Sequence, residues 1–198
     1  MYIMPYPSKI SVEQVADAAT ALAREGGLPA VGVRSVAERL GVRPTALYRY
    51  CTDGDGLMAL IAERAASQLA GQARAAVAVA EHRALGADGA FKALARAYAD
   101  FATAEPGLYA ALTTDTSGST WSAQPAVERK ALWNLVLQVV GRLTNNPDDT
   151  GAAVAAWSFL HGFASLRAAG MFGSSGPRDG FERGLAALIA GLGSAGES

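Results

Sequence analysis

A chain of 198 residues makes one domain or two small ones, long enough to bury a real core. About half of it is apolar, with alanine and leucine prominent and strand formers sparse, which favours helices. A formal net charge of −1 excludes the global basic field that drives unspecific nucleic-acid binding, so any such site must be a local patch.

Cys51 is the single cysteine, which excludes an internal disulfide and a cysteine-built zinc site, and it reads as a small core residue. MYIMPYPSKI lacks a basic stretch followed by an apolar run, so it does not read as a signal peptide. No window supplies the roughly 18 uncharged apolar residues of a membrane span. A cytoplasmic protein that does not enter a membrane is expected.

In chain order, Ser11 with Gln14 three residues on forms a capping box, and Val12, Val15, Ala16, Ala19 and Leu22 make one apolar stripe. Gly26 and Gly27 end that helix, and Pro29 keeps the chain open. A short helix from about Val33 to Leu40 stops at Gly41, and Pro44 opens another that runs to about Tyr50. Asp53 or Asp55 caps a long helix through Leu57, Leu60, Ile61, Arg64 and Leu69 toward Ala80. EHRALGADG loosens the pattern and reads as a border between two regions.

Beyond it Phe91, Leu94, Tyr98 and Phe101 recur at helical spacing, with Lys92, Arg96 and Asp100 facing away. Pro106 opens the short helix PGLYAAL, and TTDTSGSTWSAQP reads as a loop. Helix resumes from about Ala126 to Leu143, apolar on most sides and therefore expected to be buried nearly all round. Asn146 is expected to cap the next helix, with Pro147 first and Asp148 and Asp149 complementing its dipole, and the helix runs to Gly170. After FGSSGPRDG, a last helix covers Phe181 to Ala190. The chain reads as all-α with about nine helices and no internal repeat.

SVAERLGVRPTALYRY has the shape of a helix-turn-helix. Val36, Ala37, Leu40, Val42 and Leu47 point inward, while Arg34, Arg43, Thr45, Ala46, Tyr48 and Arg49 are left outside. A helix fits the major groove of DNA, where arginine makes bidentate contacts to guanine. From Arg34 to Arg49 four arginines stand against one acid, Glu38, which supplies the local patch.

Here the sequence resembles the TetR family of bacterial transcriptional regulators. The resemblance covers roughly residues 10–60, through the G-x-x-x-V pattern after the first helix, V-A-E-R-L-G-V, and L-Y-R-Y before an apolar fourth helix. It implies a three-helix DNA-binding head over 1–56 and a larger helical body over 57–198 for ligand binding and dimerisation. It places Arg34 against bases or phosphates at the start of the second helix. Arg43, Pro44, Thr45 and Ala46 open the recognition helix, with Thr45 and Ala46 meeting base edges or a thymine methyl. Tyr48 and Tyr50 match phosphate-touching positions, and Arg49 is either a further contact or a solvated charge.

Two positions depart from the family pattern. Gly32 stands where the family usually has Ser or Thr, and Gly54 where it commonly has Lys. Glycine is an acceptable N-cap, and backbone amides at Gly54 to Gly56 can hold a phosphate without a side chain. Losing one cation should lower the salt dependence by about one and leave the sequence read unchanged. The same departures, with Asp53 and Asp55 beside them, leave open a second reading, a ligand-binding dimer whose DNA head is weakened or degenerate.

In the second half W-S-F-L-H-G-F, with Trp157, His161 and Gly162, resembles the tryptophan–histidine–glycine motif of one TetR-type C-terminal domain, supported by PGLY and by an F-x-x-F-A-x-x-x-P-like run near Phe101. Trp157 and His161 share a helix face, and Gly162 permits another helix to approach closely. His161 reads as a core histidine held by hydrogen bonds or as a ligand contact. Tyr98, Phe101, Tyr109, Trp133, Trp157 and His161 are the candidates to line a cavity for a small apolar or aromatic effector. Plain core packing is the alternative for the aromatic ones.

The resemblance also implies that the last two long helices form a four-helix bundle with their copies, through residues along 152–166 and through Phe181, Leu185, Leu188 and Ile189. Two reading heads held about one DNA turn apart require a homodimer on a palindromic double-stranded operator. The expected role is a repressor released by its effector. No acid–base pair, nucleophile triad or metal cluster appears, so no catalytic residue, metal ligand or cofactor is assigned.

Overall fold

The computed structural model describes residues 10–51, 53–114, 127–173 and 179–195. Among them are eight α-helices, two short 3-10 turns and no strand: α1 (Val12–Gly26), α2 (Val33–Arg39), α3 (Gly54–His82), α4 (Gly86–Ala104), α5 (Pro106–Leu112), α6 (Val127–Leu143), α7 (Thr150–Ala168) and α8 (Gly180–Ala195). None of these is long and apolar enough to cross a membrane.

The capping box forms at α1 as its sequence demands. The Ser11 hydroxyl accepts from the Gln14 amide at 3.2 Å and the Gln14 side chain accepts from the Ser11 amide at 2.9 Å. The stripe Val15, Ala16 and Ala19 is buried, while Val12 and Leu22 pack at its edge. The spine of the molecule is α3, whose 29 residues extend roughly 43 Å at the rise of an α-helix. It packs on α1, α4, α5 and α6, and buries Leu57, Leu60, Ile61, Ala65, Ala66 and Leu69. A turn over residues 83–85 reverses the chain, so EHRALGADG links two helices packed along each other. One apolar cluster continues from Ile10 in the head to Ile189 in α8.

Three predicted elements differ from those observed. The segment expected to be a short helix from Pro44 to Tyr50 is a 3-10 turn over Pro44–Ala46 followed by further turns. Its amides bond three residues back, Ala46 to Arg43 at 2.9 Å and Leu47 to Pro44 at 3.0 Å, the tighter winding common in pieces this short. Among the described residues the count is accordingly eight α-helices against the nine or so expected. The cap of α7 is Asp149, whose carboxylate accepts from the Ala152 amide at 2.9 Å. Asn146 instead accepts from Asp148 at 3.2 Å within the preceding turn, so Pro147 lies outside the helix. Lastly, α6 is not buried all round, since Lys130, Asn134, Gln138 and Arg142 line an exposed stripe at helical spacing.

Between head and body lies a cleft of about 610 Å³ lined by residues of α1, of the 3-10 turn Leu28–Ala30 and of the α4–α5 junction. Across it Arg24 makes a paired contact to Glu105, Nε to Oε2 at 2.9 Å and Nη2 to Oε1 at 3.0 Å, and Nη2 also reaches Gln68 at 3.1 Å. Helices α1 and α3 and the α4–α5 junction are tied at this point.

Candidate nucleic-acid interface

The reading head is locked from inside. Val36, Ala37 and Leu47 are fully buried, with Leu40 and Val42 half-buried behind them. Gly41 turns the chain at φ +66°, a conformation few other residues adopt without strain. At the start of α2 the Gly32 amide donates to the Ser35 hydroxyl at 3.0 Å, and that hydroxyl donates to the Ala30 carbonyl at 2.8 Å. Ser35 thus ties the Gly32 backbone from inside the helix, while α2 has no side-chain cap at Gly32 itself.

Arg34, Arg43, Pro44, Thr45, Tyr48 and Arg49 are exposed and Ala46 is half-exposed, as the inward and outward pattern requires. The charge of this face is smaller than the sequence suggests, because Arg39 turns back to Glu25 and forms a fork-to-fork pair at 2.7 and 2.6 Å. Arg34, Arg43 and Arg49 have no acidic partner among the described residues. Arginines elsewhere are largely committed, Arg24 to Glu105, Arg64 to Asp17, Arg96 to Glu182 and Arg142 to Glu81.

The stretch after the turn behaves unevenly. Tyr48 is 54% exposed. Tyr50 is half-buried against the core, and its hydroxyl donates to the Ile10 carbonyl. The Arg49 guanidinium lies over the Tyr50 ring, 5.1 Å from its centre, and its Nε donates to the Ala46 carbonyl at 3.3 Å. Cys51 is wholly buried, and burial pushes its thiol up to about 11, with the nearby Asp53 carboxylate adding to the effect. Asp53 caps α3 by accepting from the Gly56 amide at 2.9 Å. That amide, one of those expected to hold a phosphate, is therefore already bonded. Gly54 is exposed, and a Cβ built on it would meet nothing within 4 Å.

In the body, five of the six ligand candidates form one chain of rings. Tyr98 packs edge-on against Tyr109 at 5.9 Å and against Trp157 at 5.5 Å, Trp157 meets Trp133 at 6.3 Å, and Tyr109 meets His161 at 5.9 Å. Phe101 is buried on the same helix as Tyr98 and makes no ring contact with the set. Polar groups gather at one end. The Tyr109 hydroxyl lies 3.0 Å from Nδ1 of His161, 3.2 Å from the Ser165 hydroxyl and 3.3 Å from the His161 carbonyl. Tyr98 reaches the same nitrogen at 3.4 Å, and burial holds its phenol far above the ordinary range. His161 is half-buried, hydrogen-bonded and without a second histidine beside it.

Sequence reasoning missed Ser165, one helical turn beyond His161 and on the same face. That i+4 spacing was the available signal. It also missed the Arg39–Glu25 pair, for which distant residues give no local sign. Gly162 does not serve a close approach within the protomer, since a Cβ there would meet nothing within 4 Å. The tight helix contacts fall instead at Gly107, whose Cβ would lie 2.2 Å from the Ala23 carbonyl oxygen, and at Gly184, where the Phe159 ring lies 2.5 Å away.

Much of the expected bundle surface is used inside the protomer. Ala153, Ala156, Leu160, Ala164 and Leu185 are buried, and Ile189 nearly so. Val154 and Leu166 on α7 point outward, at 54% and 46% exposure. Phe159 stacks on Phe181 at the α7–α8 seam, Phe163 meets both at a tilt, and Phe172 lies against Phe163.

Comparison with known proteins agrees with both halves. Residues 15–61 match the family described as bacterial regulatory proteins, tetR family, and residues 91–189 match the tetracyclin repressor-like C-terminal domain. Trp157, His161 and Gly162 fall inside the second match. The HTH-type transcriptional regulator YobS of Bacillus subtilis (strain 168), itself uncharacterized, is 31% identical over 102 residues, which span 52% of this chain and 51% of YobS. The chain thus aligns with about half the length of that curated relative.

Two solved structures share the whole fold. A protein of unknown function from Rhodococcus sp. RHA1 is 24% identical, with a TM-score of 0.72 and coverage of 97% of this chain and 98% of its own. A bacterial regulatory protein in the tetR family from Rhodococcus RHA1 is 14% identical, with a TM-score of 0.60 and coverage of 95% and 98%. With family models matching the head and, separately, half of the chain in the body, this chain belongs to the TetR family of bacterial regulatory proteins.

Proposed function

We infer that this TetR-family transcriptional regulator works as a cytoplasmic homodimeric repressor, binding a palindromic operator in double-stranded DNA and leaving it when a small apolar or aromatic molecule enters the body. The observation that carries the DNA reading is the set of guanidiniums on one face. Arg34, Arg43 and Arg49 stand exposed and unpaired beside Tyr48, while most arginines elsewhere are matched with acids. Unpaired cations on a rigid turn favour phosphate and guanine edges, and Thr45 and Ala46 lie between them for base contacts.

Residues 1–56 act as the head and 57–198 as the body. The outward residues Val154 and Leu166 of α7 and the partly exposed Phe181 and Leu188 of α8 supply the dimer face. The ring chain of Tyr98, Tyr109, Trp133, Trp157 and His161 is the effector site, with Phe101 behind it. Effector binding then shifts the population toward a dimer with wrongly spaced heads, which requires a differential affinity between the two states.

A gel shift with DNA from the protein's own gene neighbourhood tests the reading. Replacing Arg34 and Tyr48 together by Ala abolishes the shift and leaves the fold intact. Retained binding by the double variant would remove the assigned face from the interface. The inducer part is checked by operator affinity with and without candidate effectors, and equal affinities across all of them would end it. A ligand-binding dimer with a weakened head is the second reading, favoured by the absence of a cation at Gly54 and by the exposed Asp55 beside it. Absence of any shift with the unmodified protein selects it.

A further inference from the structure

The family resemblance assigns phosphate contacts to Tyr48 and Tyr50 alike, yet their surroundings differ. The Tyr48 side chain has no hydrogen bond among the described residues and stands 54% exposed. The Tyr50 ring is packed against the core cluster, and its hydroxyl proton is given to the Ile10 carbonyl just ahead of α1. Over it lies the Arg49 guanidinium, 5.1 Å from the ring centre, with Nε donating to the Ala46 carbonyl at 3.3 Å. Neither terminal nitrogen of Arg49 has a partner among the described residues.

An arginine on an exposed turn would otherwise sample many rotamers, and ordering it on DNA would cost entropy. The aromatic platform and one backbone bond remove much of that freedom before DNA arrives, while both terminal nitrogens stay unbonded among the described residues.

We propose that Tyr50 is a positioning residue for DNA binding: its ring presents the Arg49 guanidinium to a phosphate, and its hydroxyl is not itself a phosphate contact. This rests on the DNA-binding reading above. It assigns Arg49 to the interface as a cation and assigns Tyr50 to the head's own framework. The tie to Ile10 adds that the platform is fixed relative to the start of α1.

The test uses the full chain and double-stranded DNA from the region upstream of its own gene, with affinity measured across a series of salt concentrations. Arg49→Ala weakens binding and lowers the salt slope by about one, the mark of a single lost cation. Tyr50→Leu, which removes the platform, weakens binding by about two- to fivefold, the worth of an exposed cation–π contact. Tyr50→Phe, which keeps the ring, stays within about twofold of the unmodified protein.

The deciding measurement is the double variant. Arg49→Ala with Tyr50→Leu binds no more weakly than Arg49→Ala alone, because the platform then has nothing to present. If the losses multiply, Tyr50 acts through the fold or by its own contact, and the proposal is overturned. A loss in Tyr50→Phe as large as in Tyr50→Leu also overturns it, in favour of direct contact by the hydroxyl. No binding by the unmodified protein at any salt would overturn the DNA-binding reading itself, and this inference with it.

Discussion

Gly107, in the first turn of α5, is placed so close to Ala23 of α1 that a Cβ on it would sit 2.2 Å from the alanine carbonyl oxygen and 2.9 Å from its carbon. Two helix backbones touch there with no side chain between them. The neighbouring Arg24–Glu105 pair and the Arg24–Gln68 bond hold the same junction from its solvent side.

Replacing Gly107 by Ala therefore separates α5 from α1. Overpacking of this kind destabilises by about 1–3 kcal/mol, which outweighs the gain in helix propensity. Gly71→Ala is the control. It lies exposed within α3, where an added Cβ meets nothing, and stabilises by about 0.5–1 kcal/mol. Urea melts of the two variants should move in opposite directions. A neutral Gly107→Ala would show that the helices separate without resistance.

Why was the Gly107 contact invisible in the sequence while the head was legible? The head rests on local chemistry. The capping box at Ser11, Gly41 in its left-handed turn and the inward set Val36, Ala37 and Leu47 are fixed by residues close in the chain, so periodicity recovers them. The Ala23–Gly107 contact, the Arg39–Glu25 pair and the outward Val154 depend on how distant elements meet, and no spacing rule reports that. Asn146 resembles a cap in sequence for a subtler reason. It and Asp149 both offer a side-chain oxygen at a turn, and the chain reaches helical geometry only after the second. In the body the ring chain was legible as a set, since Trp157 and His161 share a face, whereas the exclusion of Phe101 was not.

Gly54 offers a gain-of-function test. The position is open, and a side chain there would extend from the N-terminus of α3 beside the reading face. Gly54→Lys should raise affinity for DNA at low salt and steepen the salt dependence by about one. The positive end of the helix dipole opposes the lysine by about 0.3–1 kcal/mol in stability, a smaller effect. An unchanged salt slope would place Gly54 outside the interface.

The Cys51 thiol is fully buried, with its proton-loss midpoint moved from the ordinary 9.0 up to about 11. The native protein should resist thiol reagents at pH 8 and react promptly once unfolded. The raised value has a definite sign in stability. The folded chain keeps its proton where the unfolded chain has lost it, so the contribution is complete below about pH 9 and disappears as pH rises toward 11. Cys51→Ala should lose less stability than the unmodified protein across that window. An equal loss would assign the alkaline sensitivity to other groups.

At the polar end of the ring chain the two phenols are unequal. Tyr109 has three polar atoms between 3.0 and 3.3 Å, whereas Tyr98 reaches His161 only at 3.4 Å and lies beside the Tyr109 phenol. Tyr109→Phe should cost about 1 kcal/mol and Tyr98→Phe roughly half that or less, by the net worth of a hydrogen bond. Denaturant unfolding of both variants compares them directly, and the reverse order would make Tyr98 the main partner of His161.

The length of α3 has a consequence for how the molecule comes apart. Leu57, Leu60 and Ile61 near its start are fully or nearly fully buried and join the head residues Val15, Val36 and Leu47 in one cluster, while Leu69, Ala73 and Val77 further along carry that cluster into the body. A fragment cut at residue 56 would lack the wall its own interior leans on. Head and body should accordingly melt as one cooperative unit, and two separated transitions in a thermal melt would contradict this. Loosening at the far end of α3 is felt at the reading face through an unbroken rod and needs no hinge between them.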